Sequence, residues 1–525
     1  MILDFRELED GAVIEADLCI IGAGAAGIAM AREFVGTGHQ VCLLESGGFE
    51  IDADTQSLYQ GENIGQPYYD LETCRLRFFG GTTNHWAGWC GPLNPIDFEE
   101  RDWVPYSGWP IGHADLEPYY PRAQDICGIG PFLYDDSLWE KLGMEAPAVD
   151  PEKIVTRFWQ LSEEFRFGNV YRQELEAAEN LRLLLNANVV NIQSNAEASM
   201  IEQLDLRSLD GRTGTAKARH YVLACGGIEN ARLLLLSNKV EPAGLGNQRD
   251  LVGRFFMEHL VVNCGTVAAA DPLQFLTQYL KHSYEGVRVW GGLCTSEAMQ
   301  RREKVLNGGI WTGYEPDPKS GVALAQDVWR SVKAGEWPDD LGSSIVTIMG
   351  DLDDVAVQTY RRVVEGREPV YPPLEIYLGI EAEQAPNPDS RITLGDETDL
   401  LGLRRPVLDW RLSEIDKRSI RLSVMAAGSE LGRLNIARLR IPEWLLADDT
   451  SWDPDIEMGY HHIGTTRMSD DPTRGVVDAN CALHGVDNFF IAGSSVFPTE
   501  GYINPTLSIV ALALRLSDHL KTRLA

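Results

Sequence analysis

Long apolar runs are missing from this chain of 525 residues. The longest near the start, residues 18–31, covers about 14 positions and is broken by Gly22, Gly24 and Gly27. A bilayer span needs about 20 apolar residues, so no membrane crossing is expected. Basic residues are scarce as well: lysine and arginine number 46 against 78 aspartates and glutamates, a formal charge of −32. Such a surface disfavours nucleic acid and anionic lipid and leaves neutral or cationic small molecules as ligands. Most of that acidity reads as a solvated coat. The first 16 residues contain no basic stretch leading into an apolar one. No secretory or twin-arginine leader is read there, and a cytoplasmic enzyme is expected. The nine cysteines follow no pattern, and Cys19, Cys42 and Cys225 fall in apolar strand-like runs that suit buried free thiols. No group of residues has the spacing of a structural zinc or iron–sulfur site, and His461 and His462 are adjacent rather than on one helix face, so no metal is expected. Internal repeats and low-complexity tracts are absent, and nothing in the sequence signals an oligomeric state.

The chain is long enough for one or two domains with a large core. Residues 16–21 (ADLCII) read as a buried strand. Gly22, Ala23, Gly24, Ala25, Ala26 and Gly27 follow, then a helical pattern to about residue 35 and a second strand over residues 40–45. This is a βαβ unit. The glycines permit a tight turn, close approach of backbone to a pyrophosphate, and packing of helix on strand. Phosphate charge is favoured at the helix amino terminus. Glu45, at the end of the second strand, is placed to accept hydrogen bonds from ribose hydroxyls. Val189 lies in an apolar run over residues 180–192, and another run, 219–225, turns through Gly226 and Gly227 into a helix over 228–236. The texture changes over residues 261–446, with Trp-rich loops, an amphipathic segment at 323–332 and strand-like runs at 373–378 and 391–394. A strand then returns at 489–492, ending in Gly493 and Ser494, and a strong helix occupies 505–520 with Pro505 at its first position. The expected fold class is α/β. A Rossmann-like nucleotide-binding domain is assembled from the discontinuous segments 1–260 and 447–525, and an α+β substrate domain with an antiparallel sheet spans 261–446.

The glycine motif alone does not separate FAD from NAD. The segment RFFGGTTNHWAGWCGP (77–92), the segment ACGGIENARLLL (224–235) and the carboxyl-terminal block from Tyr460 onward resemble the glucose-methanol-choline (GMC) oxidoreductase family. The resemblance runs over nearly the whole chain and is weakest in the middle, where substrate is chosen. Gly80, Gly81, His85 and Trp86, the Gly464-Thr465-x-Arg467-Met468 run and Asn504-Pro505-Thr506-Leu507 are most similar to pyranose 2-oxidase and to bacterial sugar and glycoside oxidases and dehydrogenases. Members that oxidise the anomeric carbon of glucose, or choline, usually carry Asp before the serine of the strand-end turn, and this chain has Gly493-Ser494.

The resemblance implies bound FAD contacted by Gly80, Gly81, Asn84, His85, Trp86, Ala87, Val189, Gly493, Ser494, Asn504, Pro505 and Thr506. It makes His461 the catalytic base and Asn504 its partner. Chemistry agrees, since hydride leaves an alcohol carbon only if the hydroxyl proton is taken up, and imidazole is suited to that. His462 is the rival base; neighbours on an extended segment point opposite ways, so one of the two faces the flavin. His85 matches a histidine that is bonded to the flavin in pyranose 2-oxidase and unbonded in similar enzymes, so covalent and non-covalent FAD both stand. Ala87 replaces a threonine of pyranose 2-oxidase that touches the flavin's reactive edge, a departure that counts against efficient use of oxygen. Glu381 and Gln384, before Pro386, and His462 are candidates to face substrate, although an ordinary turn accounts for Glu381 and Gln384 nearly as well.

The implied reaction is oxidation of a secondary alcohol of a sugar, glycoside or polyol to a ketone, with oxygen, a quinone or a soluble carrier as electron acceptor. Three alternatives remain: a non-redox flavin-containing lyase of the same fold, an oxidase of a non-sugar alcohol, and a nicotinamide-dependent dehydrogenase, which would leave the carboxyl-terminal block without a role.

Overall fold

The computed structural model describes the chain except residues 163, 335–340, 364–368, 448 and 454–455. Its first sheet is built on strands that are apolar on both faces. Leu18–Ile21 and the strand Val41–Leu44 are buried throughout, as expected for parallel strands covered on both sides. The strand order is Ile2–Asp4, Leu181–Leu185, Val41–Leu44, Ala12–Ile21, Thr213–Leu223, Ile201–Arg207 and Asn188–Ser194, with Phe489–Ile491 also paired to Thr213–Leu223. All pairings are parallel except those of the strands Ile201–Arg207 and Asn188–Ser194, which run antiparallel.

Between the strands Ala12–Ile21 and Val41–Leu44 the chain runs through the glycine turn into the helix Ala25–Glu33. Gly22 has φ +100, and a Cβ there would stand 2.6 Å from the Ala224 carbonyl oxygen. A Cβ on Gly27 would stand 1.9 Å from the Gly22 carbonyl oxygen. Only glycine lets the helix sit this close to the turn. On the outer side the helix packs against the last helix, Thr506–Leu524, whose Leu507, Val510, Leu514 and Leu520 are buried. That helix starts one residue later than expected, with Pro505 as its N-cap.

Residues 180–192 form two strands instead of one run. The chain breaks at Asn186, which adopts a left-handed conformation (φ 57), and the second strand, Asn188–Ser194, leaves the parallel ladder to form a hairpin with Ile201–Arg207.

A second, wholly antiparallel sheet has the order Ala437–Arg440, Leu260–Ala269, Pro373–Ala382, Gly308–Pro316, Val287–Thr295, Ile154–Leu161 and Trp89–Cys90. Lys281–Tyr284 and Glu457–Met458 branch from it. This is the antiparallel sheet expected of residues 261–446, but Trp89–Cys90, Ile154–Leu161 and Glu457–Met458 come from outside that range. Conversely, the strand Arg391–Thr398 pairs with Arg404–Asp409, and that strand with Glu62–Asn63, in a separate small sheet beside the helix Gly226–Leu236. The exchange follows from pairing: strands add wherever an open edge and a buried face are offered, irrespective of chain order. The two sheets close over one hydrophobic core that runs from Phe5 to Leu524. The amphipathic segment forms the helix Gly321–Ala334.

All nine cysteines are free; eight are buried and Cys225 is half-buried.

Candidate active site

Three helices present their amino termini to a single cavity of about 470 Å³, lined by Gly24, Ala25 and Ala26, by Gly226 and Gly227, and by Pro505 and Thr506. They begin at Ala25, Gly226 and Thr506, and none has a side-chain cap. Their free N–H groups and positive dipole ends therefore converge on one space, as an anionic ligand requires. Gly22, Glu45, Gly81, His85, Trp86, Ala87, Val189, Gly493, Ser494, His461, His462 and Asn504 also line it. A Cβ built on Gly24 would meet no atom within 4 Å, so no described residue fills the space in front of the turn. The volume lies in the range of ligand and cofactor clefts. A dinucleotide with a central pyrophosphate fits this donor set: the glycine turn and first helix would hold the phosphates, Glu45 the ribose, and the helix at Thr506 a ring that gains negative charge.

Glu45 is held in place by backbone. One carboxylate oxygen accepts from Ala23 N–H at 3.0 Å, the other from Gly47 N–H at 2.9 Å. The 77–92 loop is tied to the glycine turn through Gly80 N–H, which donates to Ala23 O at 2.9 Å. Gly27, Gly80 and Asn84 do not line the cavity. Gly27 acts at the seam of helix and turn, Gly80 (φ 96) turns the loop, and the Asn84 amide donates to Phe79 O at 2.9 Å to close that loop. The Asn84 side chain is thus a brace of the loop.

The polar end of the cavity is organised around His461. Its neighbour Tyr460 has φ 60, a conformation costly for a side chain of that size, and is held there by stacking on Tyr69 with centroids 4.5 Å apart. His461 N–H donates to Glu258 Oε1 at 2.6 Å. The ring is fixed on both sides: Nδ1 is 2.8 Å from His259 Nδ1, and Nε2 is 3.4 Å from the Asn504 amide nitrogen. The network assigns the tautomers. His259 Nε2 lies 3.0 Å from Gly501 O, a carbonyl that can only accept, so His259 carries its proton on Nε2 and offers a bare Nδ1. His461 must then donate from Nδ1. Its Nε2 is then unprotonated and faces the Asn504 amide on the cavity wall.

Burial, then the neighbouring His259 and His462 rings, hold His461 well below the ordinary histidine range, and burial brings His259 to about 4. Both rings are neutral at neutral pH, as this tautomer chain requires. The backbone reinforces the pair two residues before His461, where Gly459 N–H donates to His259 O at 3.1 Å.

His462 points the other way, as alternation along an extended segment demands. Its Nε2 is 3.5 Å from Cys74 Sγ and its ring packs against Phe256 and Tyr68. Glu381 is buried at 3 % exposure and is not part of the cavity wall. It stands behind the histidines, with Oε1 3.5 Å from His461 Nδ1 and 3.9 Å from His259 Nδ1. The expectation that Gln384 faces substrate is not met. Gln384 is fully buried, accepting from Trp410 Nε1–H at 2.9 Å and Glu258 N–H at 3.0 Å and donating to Arg411 O at 2.9 Å. A polar residue before a proline turn reads as exposed in sequence, and here the turn is folded inward. Donor atoms of His259, Glu381 and His461 lie within 4.8 Å of one another, close enough for a cation to bridge. The 2.8 Å between the two Nδ1 atoms is the length of an N–H···N hydrogen bond, and the cluster is read as one.

Sequence reasoning missed Glu258 and His259. Their only signal was a charged pair set between the apolar runs 255–257 and 260–262. Burial pushes the Glu258 carboxyl up to about 8, although Tyr68 and the backbone N–H groups of His461 and His259 favour its ionised form; the buried carboxyl of Glu381 faces it as well. In the unfolded chain the group titrates near 4.5. The folded protein thus keeps a proton that the unfolded chain loses between those values, and stability falls as pH rises from about 4.5 to about 8. Urea midpoints measured across this window should decline in the native protein and decline less steeply in Glu258→Gln. Equal slopes would contradict the assignment.

Comparison with known proteins agrees with this geometry. Residues 17–292 match the family model described as FAD dependent oxidoreductase, and residues 386–513 match that described as GMC oxidoreductase. The chain is similar to 6'''-hydroxyparomomycin C oxidase of Streptomyces lividus, 25 % identical over 97 % of this chain and 92 % of that one. It is similar also to the fructose dehydrogenase large subunit of Gluconobacter japonicus, 23 % identical over 96 % and 97 %. The crystal structure of formate oxidase shares the fold, with a TM-score of 0.57, 14 % identity and coverage of 98 % and 99 %. The glycine turn, the three converging helix termini and the two family matches together make this chain an FAD-dependent enzyme of the GMC oxidoreductase family.

Proposed function

We propose that the protein oxidises a secondary alcohol of a sugar, glycoside or polyol to a ketone, with His461 as the base and Asn504 as its partner. The observation that carries this is the bare Nε2 of His461 on the cavity wall, 3.4 Å from the Asn504 amide. That distance is long for a direct hydrogen bond. It suits two groups that share one hydroxyl between them, Asn504 donating to its oxygen and His461 accepting its proton. Bound in the cavity, FAD supplies the acceptor for the hydrogen that leaves carbon. The chain's own work is to hold the hydroxyl, take its proton at Nε2, and steady the resulting positive charge through the Nδ1–H bond to the bare Nδ1 of His259. His462, turned toward Cys74, is left to shape the wall.

The names of the two relatives, one of them for a sugar dehydrogenase, support the substrate class. An anaerobic titration of the yellow holoenzyme with sugars, glycosides, cyclitols and simple alcohols tests the proposal. Bleaching of the flavin by a sugar or glycoside, with a keto product seen by NMR, is expected. A flavin that only simple alcohols bleach, or that none of the panel bleaches, overturns it. Acid precipitation separates the two states of His85, since colour stays with the pellet only if the flavin is linked.

A further inference from the structure

The face of the antiparallel sheet that carries Glu381 continues away from His461 as a track of aromatic rings. Cross-strand partners point to the same face of a sheet, and so do alternate residues along a strand. Gly309 pairs with Glu381, Trp311 with Gly379 and Gly313 with Tyr377, so Trp311 and Tyr377 share the face of Glu381. Cys294 pairs with Gly309, which places Trp290 there too, and Trp290 pairs with Trp159. Trp89, opposite Leu161, completes the row.

The rings touch in sequence. Centroids are 4.7 Å apart for Trp89 and Trp290, 5.8 Å for Trp290 and Trp311, and 6.0 Å for Trp311 and Tyr377. Two of them are seated on glycines that could bear no side chain: a Cβ on Gly379 would be 2.2 Å from the Trp311 ring, and one on Gly313 2.5 Å from the Tyr377 ring.

A purely structural cluster would be buried, and Trp159, at 0 % exposure, is core. Trp89, Trp311 and Tyr377 remain half-buried, and Trp89 also lines the cavity that holds His461. Trp311 stands nearly perpendicular to both neighbours, at 89° to Trp89 and 80° to Tyr377. The three half-buried rings form a faceted corner. Along the strand, Gly379 and Tyr377 lie about 7 Å and 14 Å beyond Glu381. The corner therefore begins about one ring-width from Glu381, and Trp89 joins it to the cavity that holds His461.

We infer that Trp89, Trp311 and Tyr377 form a second subsite that binds a ring attached to the oxidised sugar, so that the preferred substrate is a glycoside with a ring-bearing aglycone and not a free monosaccharide. The inference rests on the proposed sugar oxidation. Aromatic walls bind a ring face by stacking and by edge contact. An aryl aglycone and a second pyranose both present such a face.

The test is steady-state kinetics of the holoenzyme on three glycosides of one sugar: methyl, phenyl, and a disaccharide. The KM of a ring-bearing glycoside should be about five- to tenfold below that of the methyl glycoside, with similar kcat. Trp311→Ala should bring the ratio of the two KM values close to one, and Trp311→Phe should restore most of it. A gain confined to the phenyl glycoside identifies an aromatic aglycone, and one confined to the disaccharide a saccharide; either supports the subsite. Equal KM values in the native enzyme, or a ratio that Trp311→Ala leaves intact, overturn the inference while sugar oxidation stands. If a free sugar reduces the flavin and no glycoside does, the subsite falls and sugar oxidation stands; if neither does, both fall.

Discussion

His461→Ala should yield a protein that is still yellow and whose flavin is reduced by substrate about 10²- to 10⁴-fold more slowly, the range lost with a positioned general base. Retention of FAD is expected because the cradle is built elsewhere. The glycine turn, Glu45 and the helix termini at Ala25, Gly226 and Thr506 line the cavity without a hydrogen bond to the His461 ring, and the site of His461 is fixed through its backbone N–H to Glu258, which alanine preserves. The loss of rate follows from the tautomer chain. Gly501 O sets the proton on His259, His259 sets the proton on His461, and the lone pair that remains on Nε2 is the only unprotonated ring nitrogen of the pair that meets the cavity. Removing it leaves Asn504 able to orient the hydroxyl with nothing beside it to take the proton. Anaerobic stopped-flow absorbance of the bound flavin measures the step. A variant that reduces its flavin at the native rate would shift the role to His462 or to a group outside this cluster.

How much of this was legible beforehand divides by the range of the interaction. The glycine turn and the helix that follows are dictated by contacts within a few residues, since Gly27 must clear Gly22, and the local sequence carries that requirement openly. The apolar strands Ala12–Ile21 and Val41–Leu44 are equally local, because burial on both faces leaves no alternation to disguise them. His461 and Asn504 became visible only through the family resemblance: no periodicity places residues 43 apart in the chain at one hydroxyl. Glu258 and His259 were invisible for the same reason. Their partners are His461, Tyr68 and Gly501, as many as 242 residues away. Gln384 misled because a glutamine before a proline turn looks solvated, whereas Trp410 and Arg411 close over it. The strand Ile154–Leu161 shows the same limit at the level of the sheet. It was not read as a strand, and the edge of Val287–Thr295, more than 120 residues on, is what receives it.

Glu229→Ala should destabilise the protein by about 3–5 kcal/mol, the cost typical of leaving buried charge without its partner. Glu229 sits in the first turn of the helix Gly226–Leu236 with three guanidinium groups around it: Arg75 at 2.9 Å, Arg232 at 3.3 Å and Arg77 at 3.4 Å. Their side chains are 7 %, 3 % and 12 % exposed, so water cannot replace the carboxylate. Burial would raise the Glu229 carboxyl, yet Arg232, Arg75 and Arg77 hold it down at about 2. Because the unfolded chain titrates near 4.5, the stabilisation is fully present above that pH and is lost as pH falls toward 2. Arg232 keeps a second anion, Asp399 at 2.6 Å, and Arg75 keeps the carbonyls of Tyr59 and Leu71, so the uncompensated charge falls most heavily on Arg77. Glu229, Arg77 and Arg232 all line the cavity. The variant should accordingly also lose affinity for FAD, because the wall around the adjoining helix terminus would move to rehydrate the arginines. Urea denaturation at neutral pH reads the stability, and flavin retained on gel filtration reads the site. The double variant with Arg77→Met removes the stranded charge and should recover part of the loss; a double variant no better than Glu229→Ala alone would show that the cost lies in packing and not in charge.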